Sequence, residues 1–199
     1  MTPTQRQVLE KVEKIANEEL IPIVCPATRQ FLIGLIKSDY NILEIGTAIG
    51  YSGILMLAST SGTKLTTVEV RTDRVAIATQ NFIKAELSDR VTIVHQDALD
   101  FALANKAKFD FMFLDGAVQK YVHMYDSLKS SLNSGGTIVL DNAIGLNRAK
   151  KKCGEKLMAK MNDFKSMLNS DPDFKTQLHE VGDGILVAQN VLDNLDNNG

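Results

Sequence analysis

Apolar positions at the start of the chain follow a helical period. Over residues 4–20 they recur with the spacing of one helix face, at Val8, Val12, Ile15 and Leu20. This pattern predicts an amphipathic helix, with Thr4 as its N-cap. A loop follows, and a second helix is predicted from about Arg29 to Ser38. Residues 1–38 are therefore predicted to form two N-terminal helices.

Beyond Tyr40, short apolar runs alternate with segments of helical period. The runs are Ile42–Ile45, Leu65–Val70, Val91–His95, Phe109–Leu114 and Thr137–Leu140. The helical segments between them are Ser52–Ala58, Asp73–Glu86, Ala98–Asn105 and Tyr121–Leu132. Alternating strands and helices predict an α/β fold with a mainly parallel sheet, and the nearly continuous apolar strands indicate helices on both faces.

The C-terminal part changes character again. A lysine-bearing helix is predicted at about residues 153–169, and two antiparallel strands joined by a tight turn at Val181–Ile185 follow it. The polar residues 191–199 are expected to fray. Because no linker or repeat divides the chain, we predict a single domain over residues 1–199.

Composition and charge exclude several classes of protein. The chain is 44% hydrophobic and 23% charged with a formal charge of −2, which excludes a disordered, collagen-like or coiled-coil protein and a polycation. Cys25 and Cys153 lie far apart, so they predict no disulfide framework and no zinc site. The N-terminus lacks the apolar core of a signal peptide, and no run has the roughly 18 apolar residues of a membrane span. We therefore expect a cytoplasmic protein without a membrane partner.

The first apolar run leads into a glycine-containing loop, EIGTAIGYSG, at residues 44–53. Glycines at a strand-to-helix turn allow the backbone to approach a ligand closely. The spacing differs from the dinucleotide pattern GxGxxG, because Ala48 takes the place of the middle glycine. It matches E-x-G-x-[GA]-x-G, which resembles the first motif of class I S-adenosylmethionine methyltransferases.

Carboxylates end the next two strands. Glu69 ends the second run, where it can accept hydrogen bonds from both ribose hydroxyls of a nucleoside, although a solvated strand-end charge is the alternative. Asp97 and Ala98 follow the third run, where methyltransferases commonly place an acidic and a small residue against adenine. Asp97 is also a candidate helix N-cap.

The fourth and fifth runs end in a set of oxygen ligands. Asp115 follows the fourth run, and Asp141 and Asn142 follow the fifth. In open α/β folds ligands bind at the carboxyl ends of the strands, so these side chains are expected to meet there. Two carboxylates and one amide oxygen suit Mg²⁺, and the set is too poor in nitrogen and sulfur for zinc.

Together, Asp115, the Asp141–Asn142 pair and the EIGTAIGYS loop resemble the metal-dependent O-methyltransferase family of catechol and caffeoyl-CoA methyltransferases. The resemblance covers roughly residues 22–190, and VGDGILVA is similar to the last hairpin of that family. It implies the Rossmann-like class I methyltransferase fold, with a mainly parallel seven-stranded sheet and a C-terminal antiparallel hairpin. Within the family, EIGTAIGYS most resembles the bacterial branch that methylates 5-hydroxyuridine in tRNA.

The resemblance also implies roles for matching residues. Asp115, Asp141 and Asn142 would bind Mg²⁺ or another divalent cation such as Mn²⁺ or Ca²⁺. The residues implied to contact S-adenosylmethionine are Val24, Glu44, Gly46, Tyr51, Ser52, Glu69, Val70, Asp97, Ala98 and Asp115. The family further implies a homodimer.

One position departs from the family pattern. A lysine usually stands three residues after the strand-four aspartate, near the acceptor oxygen, but Val118 stands there in this chain. Lys120 lies two residues further on, and Tyr121 occupies the usual tyrosine position. Asp115 and Lys120 are the candidate catalytic residues, and the general base is left open. Without that lysine, an acceptor with an already acidic hydroxyl is favoured.

A basic stretch at residues 148–165 gives information about the identity of the acceptor. It contains seven basic and two acidic residues. Such a stretch can attract a phosphate backbone, although a solvated amphipathic helix is the alternative. The leading prediction is an O-methyltransferase acting on 5-hydroxyuridine in tRNA. Alternatives are small catechol-like or acyl-CoA ester acceptors and, more distantly, an NAD-dependent oxidoreductase or an inactive cofactor-binding protein.

Overall fold

The computed structural model describes residues 1–145 and 151–192, with the backbone alone at residues 151–153. The helices are α1 (Pro3–Glu18), α2 (Pro26–Leu35), α3 (Tyr51–Ala58), α4 (Thr72–Lys84), α5 (Ala98–Ala104), α6 (Tyr121–Ser131) and α7 (Lys151–Ser170). The strands are β1 (Asn41–Ile45), β2 (Lys64–Glu69), β3 (Val91–His95), β4 (Phe109–Leu114), β5 (Leu132–Leu140), β6 (Phe174–His179) and β7 (Ile185–Asn190). A 3-10 turn, Val118–Lys120, precedes α6.

The strands form one seven-stranded sheet in the order β3-β2-β1-β4-β5-β7-β6. Strands β1 to β5 run parallel to one another, whereas β7 is antiparallel to both β5 and β6. The predicted class I methyltransferase architecture, including its C-terminal antiparallel hairpin, is confirmed. Its consequence for function is that β1 to β5 all end at the same edge of the sheet.

Two apolar clusters cover the two faces of the sheet. Phe111 and Phe113 of β4 belong to the cluster that contains α1 to α4, while Met112 and Leu114 belong to the cluster with α5 to α7. Successive side chains of a strand point to opposite faces, and here both faces are buried. This burial explains why the strands lack an alternating polar pattern.

Three of the differences between predicted and observed element boundaries have a clear physical cause. Helix α1 begins earlier, because Thr2 rather than Thr4 is its N-cap and forms a reciprocal capping box with Gln5. Helix α2 begins at Pro26, since proline is tolerated in the first turn. Strand β5 begins at Leu132 instead of Thr137, and an irregular register against β4 accommodates the residues between them.

Among the described residues, none of the helices has both the length and the apolar character required to cross a bilayer. Two predictions concern residues outside the described ranges. Residues 193–199 of the predicted frayed tail lie there, as do Arg148 and Lys150 of the basic stretch.

Candidate active site

The loop after β1 and the end of β4 approach each other through glycine. Gly46 has a φ of +109°, a conformation that L side chains rarely adopt, and a Cβ added to it would lie 2.7 Å from the Asp115 carbonyl oxygen. Gly116 lies equally close on the other side, since a Cβ there would be 3.2 Å from the Gly46 Cα. This close backbone contact explains the first glycine of the motif.

A cavity of about 330 Å³ opens at this edge of the sheet. Of the residues predicted to contact the cofactor, it is lined by Val24, Gly46, Tyr51, Ser52, Glu69, Val70, Asp97, Ala98 and Asp115. Lys120 also lines it. Segments that are distant in sequence thus meet around one space, because the parallel strands deliver their following loops to one edge.

Glu44 lies beneath the cavity wall instead of lining it. Its side chain is fully buried, and its carboxylate accepts hydrogen bonds from Ser52 Oγ at 2.5 Å and from Thr67 Oγ1 at 2.6 Å. Burial raises the pKa of Glu44 to about 7, although both hydrogen bonds lower it. Glu44 therefore holds Ser52, which does line the cavity, and its own contact with the cofactor stays a prediction.

Glu69 faces the cavity with its carboxylate fixed by backbone groups. Oε2 accepts from the Ala48 N–H at 2.9 Å, and Oε1 accepts from the N–H groups of Val70 and Arg71 at 3.0 Å each. These bonds join the loop after β1 to the end of β2. The acid therefore has a defined orientation at the position predicted to bind ribose.

The three predicted metal ligands come together at the ends of β4 and β5. Asn142 Nδ2 lies 3.4 Å from Asp115 Oδ1, and Asn142 itself has a left-handed φ of 59°. Burial raises the pKa of Asp115, and the charges of Asp141 and Glu44 raise it further. Burial also raises the pKa of Asp141, as does the charge of Asp183, whereas a backbone hydrogen bond at Asn142 lowers it. Partly buried Asp115 and buried Asp141 thus repel each other at the ends of β4 and β5.

This cluster fits a divalent cation. Asp141 Oδ1 is buried and has no hydrogen-bond partner among the described residues, which is costly for a carboxylate oxygen. Within the described ranges no three His, Cys, Asp or Glu side chains form a metal-binding group. The set formed by Asp115, Asp141 and Asn142 instead combines two carboxylates with an amide oxygen. Such oxygen ligands suit Mg²⁺, which keeps several positions for water or substrate.

The turn after Asp115 determines the positions of Val118, Lys120 and Tyr121. Val118 packs against the apolar cluster on the α5–α7 face. Lys120 Nζ forms an ion pair with Asp97 Oδ2, and not with the carboxylates of Asp115 and Asp141. Tyr121 is fully buried, and its hydroxyl accepts a hydrogen bond from the Gly116 N–H at 3.2 Å. The structure therefore presents no lysine ammonium at the position where the family carries its usual lysine.

A cluster with no recognisable sequence motif links the N-terminal helices to the cavity. Arg29 on α2 makes two hydrogen bonds to Glu13 on α1, at 2.6 and 3.0 Å, and its guanidinium lies 5.0 Å from the centre of the Tyr51 ring. Thr67, which donates to Glu44, was not predicted either. The only indication in the sequence is that it is a polar residue within an apolar strand, where it is buried. Further lining residues without a sequence motif are Pro22, Ile23, Arg71, Arg74, Gln96 and Gln119.

The described lysines of the basic stretch are partly engaged within the protein. Lys165 Nζ donates to the Ala143 carbonyl at 2.8 Å, directly after the Asp141–Asn142 pair. Lys160 lies 3.7 Å from Asp163 in an exposed ion pair, and Lys156 is exposed. The alternative for this stretch was a solvated amphipathic helix. Two residues of its apolar face, Met161 and Phe164, are buried in the core. The amphipathic helix is thus present, with one packed face.

Comparison with known proteins identifies the family. The sequence profile of the O-methyltransferase family matches residues 3–191. The chain is 24% identical to a caffeoyl-CoA O-methyltransferase of Populus kitakamiensis, over 80% of this chain and 74% of that protein. It is 32% identical to a catechol O-methyltransferase of Niastella koreensis, over 52% of this chain and 49% of that protein.

A solved structure gives the same result for the fold. The O-methyltransferase from Bacillus cereus, crystallised in complex with SAH, superposes with a TM-score of 0.79 at 25% identity. The similarity covers 92% of this chain and 90% of that one.

Proposed function

The chain belongs to the O-methyltransferase family and uses S-adenosylmethionine, and from this premise we propose that it methylates one of two adjacent hydroxyls on a small catechol-like acceptor. The acceptor would lie at Asp115, Asp141 and Asn142 with a divalent cation. The family match replaces the distant alternative of an NAD-dependent oxidoreductase. The tRNA acceptor becomes the second candidate.

The observation that carries this proposal is the pair of neighbouring acids, partly buried Asp115 and buried Asp141, of which Asp141 Oδ1 has no hydrogen-bond partner among the described residues. Buried carboxylates that lack a compensating charge are costly, so a site of this kind supports a bound cation. A divalent cation bound there would lower the pKa of an acceptor hydroxyl. Adjacent hydroxyls match this site, because two neighbouring oxygens can chelate one ion.

The residues of the chain supply position and exclude water. Ser52 and the loop after β1 line the cavity, and Glu69 holds that loop through the Ala48 N–H. S-adenosylmethionine supplies the electrophilic methyl group. A fixed loop on one side and fixed carboxylates on the other restrict the approach of the acceptor oxygen, which lowers the entropic part of the barrier.

The proposed acceptor class follows from the missing lysine. Val118 is packed in an apolar cluster and Lys120 is paired with Asp97, so neither offers an amine base at the acceptor oxygen. A catechol hydroxyl is more acidic than an aliphatic alcohol, so it needs less assistance from a cation to lose its proton. Two relatives of this chain are named as catechol and caffeoyl-CoA enzymes, which supports an aromatic acceptor.

The test is transfer of a labelled methyl group to catechols, with the matched monohydroxy phenols as control. We expect product only from the catechols, and only with added Mg²⁺ or Mn²⁺, while a chelator abolishes it. Equal transfer to the phenols, or transfer that persists with chelator present, would contradict the proposal.

Total tRNA provides the second arm of the same experiment, because the basic stretch at residues 148–165 favours an RNA acceptor. Methylation of tRNA but of no catechol would replace the small acceptor. In that case, Ala substitutions at Lys150, Lys151 and Lys152 should raise the KM for tRNA and flatten the dependence of RNA affinity on salt, because counterion release is reduced. The homodimer stays a prediction, which sedimentation of the protein will test.

A further inference from the structure

Lys120 and Asp97 meet although their strands are not neighbours. Asp97 follows β3 and Lys120 follows β4, and the sheet order places β2 and β1 between these two strands. Adjacent strands lie about 4.8 Å apart, so three intervals separate the two strand ends by about 14 Å. The side chains nevertheless form an ion pair. The pair therefore crosses above the carboxyl ends of β1 and β2.

The space beneath this pair is the cofactor cavity. Both Lys120 and Asp97 line it, together with Gly46 after β1 and Glu69 at the end of β2. The two paired side chains are each 29% exposed, so they belong to the rim and not to the core. A ligand lying along the ends of β1 and β2 would be enclosed between these strand ends and the pair.

Local structure prepares both partners for this contact. Asp97 is the N-cap of α5, where Oδ1 accepts from the Leu99 N–H at 3.0 Å and Oδ2 is left for Lys120. The Lys120 hydrogen bond lowers the pKa of Asp97, although desolvation opposes it. On the other side, Ala117 has a left-handed φ of 56° and begins the 3-10 turn that ends at Lys120. A non-glycine residue in this conformation is costly, and such strain is concentrated at functional sites.

We propose that Lys120 is a cofactor-retaining residue, whose ammonium forms with Asp97 a clasp across the rim of the cavity. The S-adenosyl ligand is held behind this clasp and leaves when the ion pair opens. This role differs from that of the candidate catalytic residue named from the sequence, because the Lys120 ammonium contacts Asp97 at the rim of the cavity. It concerns the cofactor alone, so it does not depend on the acceptor or on a metal.

The test measures the dissociation rate of S-adenosylhomocysteine from the wild type and from Lys120→Met, without acceptor and without divalent cation. We expect dissociation to accelerate roughly five- to twentyfold, the range for one charge-assisted hydrogen bond that is partly exposed. Lys84→Met removes the same charge from the exposed end of α4 and should leave the rate unchanged. An unchanged rate in Lys120→Met would overturn the clasp.

Asp97→Asn provides the partner variant, since asparagine preserves the N-cap of α5. It should accelerate dissociation as Lys120→Met does, and the double variant should be no faster than either single variant. Additive effects would mean that the two side chains act separately, which contradicts the proposal.

Salt distinguishes the clasp from a structural effect in the unmodified enzyme. Because the ion pair is partly exposed, added salt should accelerate dissociation from the wild type but not from Lys120→Met. Once an acceptor is in hand, kcat of Lys120→Met at saturating cofactor distinguishes cofactor retention from proton transfer. A fall in kcat of about a hundredfold or more, with unchanged cofactor dissociation, would assign Lys120 to proton transfer instead.

Discussion

The Ala48 N–H donates to Glu69 Oε2 at 2.9 Å, which fastens the middle of the loop after β1 to the acid that ends β2. Ala48 has a φ of 46°, so the loop turns sharply at the point where this bond is made. The residue that prevents a match to the dinucleotide motif is thus the one whose backbone orients the ribose-binding candidate. Binding of the cofactor should depend on this acid through two effects, direct contact and loop position.

Replacement of Glu69 by Ala should weaken binding of S-adenosylhomocysteine by about 1.5–3 kcal/mol, as expected for hydrogen bonds to a charged group. The fold should survive, because a strand-end acid contributes little packing. Calorimetry on the folded variant measures the loss, and Glu10→Ala on the exposed face of α1 is the control. Equal affinities of wild type and Glu69→Ala would remove the ribose assignment.

Replacement of Asp141 by Asn should abolish methyl transfer but retain binding of S-adenosylhomocysteine. In chelator the variant should also be more stable by roughly 1–2 kcal/mol, because the buried repulsion between Asp141 and Asp115 is relieved. Thermal unfolding measures this difference. Excess Mg²⁺ should stabilise the wild type but not the variant, since ligand binding favours the folded state. A variant stabilised by Mg²⁺ to the same extent would exclude Asp141 as a ligand.

Glu44 should make stability depend on pH near neutrality. Its folded pKa is raised by burial to about 7, above the ordinary value of 4.5, so the folded state binds the proton more tightly. The stability of the wild type should therefore fall as pH rises from about 4.5 to 7, by roughly 2–3 kcal/mol in total from this group. Urea unfolding across this range should show a smaller fall in Glu44→Gln. If the stability of the wild type and of Glu44→Gln changed with pH in the same way, the raised pKa of Glu44 would be contradicted.

Asp171 should act in the opposite direction at low pH. Burial raises its pKa, but hydrogen bonds from Lys129 and Tyr125 outweigh that effect and lower the pKa to about 2. Its contribution is present above the ordinary pKa of 3.8 and is lost as pH falls toward 2. Asp171→Asn should cost about 1–2 kcal/mol at pH 7, allowing for partial solvent screening, and little at pH 2.

The control for Asp171 is Asp163→Asn, because the pair formed by Asp163 and Lys160 is largely exposed and 3.7 Å long. Urea unfolding measures the free energy of unfolding at pH 7 and pH 2. At pH 7, Asp171→Asn should lose more stability than Asp163→Asn. A loss in Asp171→Asn that is the same at both pH values would assign the effect to packing and not to charge.

The sequence by itself determined the architecture and the position of the active site. Nearly continuous apolar strands alternating with helices predict a covered parallel sheet, and in such a sheet the residues that follow each strand meet at one edge. Glu69, Asp97, Asp115 and Asp141 therefore had to converge, because each ends or directly follows a strand. The EIGTAIGYS loop, Asp115 and the Asp141–Asn142 pair, in this order along the chain, predicted the O-methyltransferase family that the profile match confirmed.

Only the tertiary structure decided how individual side chains are used. Glu44 lies under the cavity wall because Thr67, on the neighbouring strand, bonds it from one side and Ser52 from the other. Lys165 is engaged by the Ala143 carbonyl, and Lys120 reaches Asp97 across two intervening strands. Each of these contacts joins residues more than six positions apart. They depend on strand order and side-chain direction, which local spacing in a sequence does not encode.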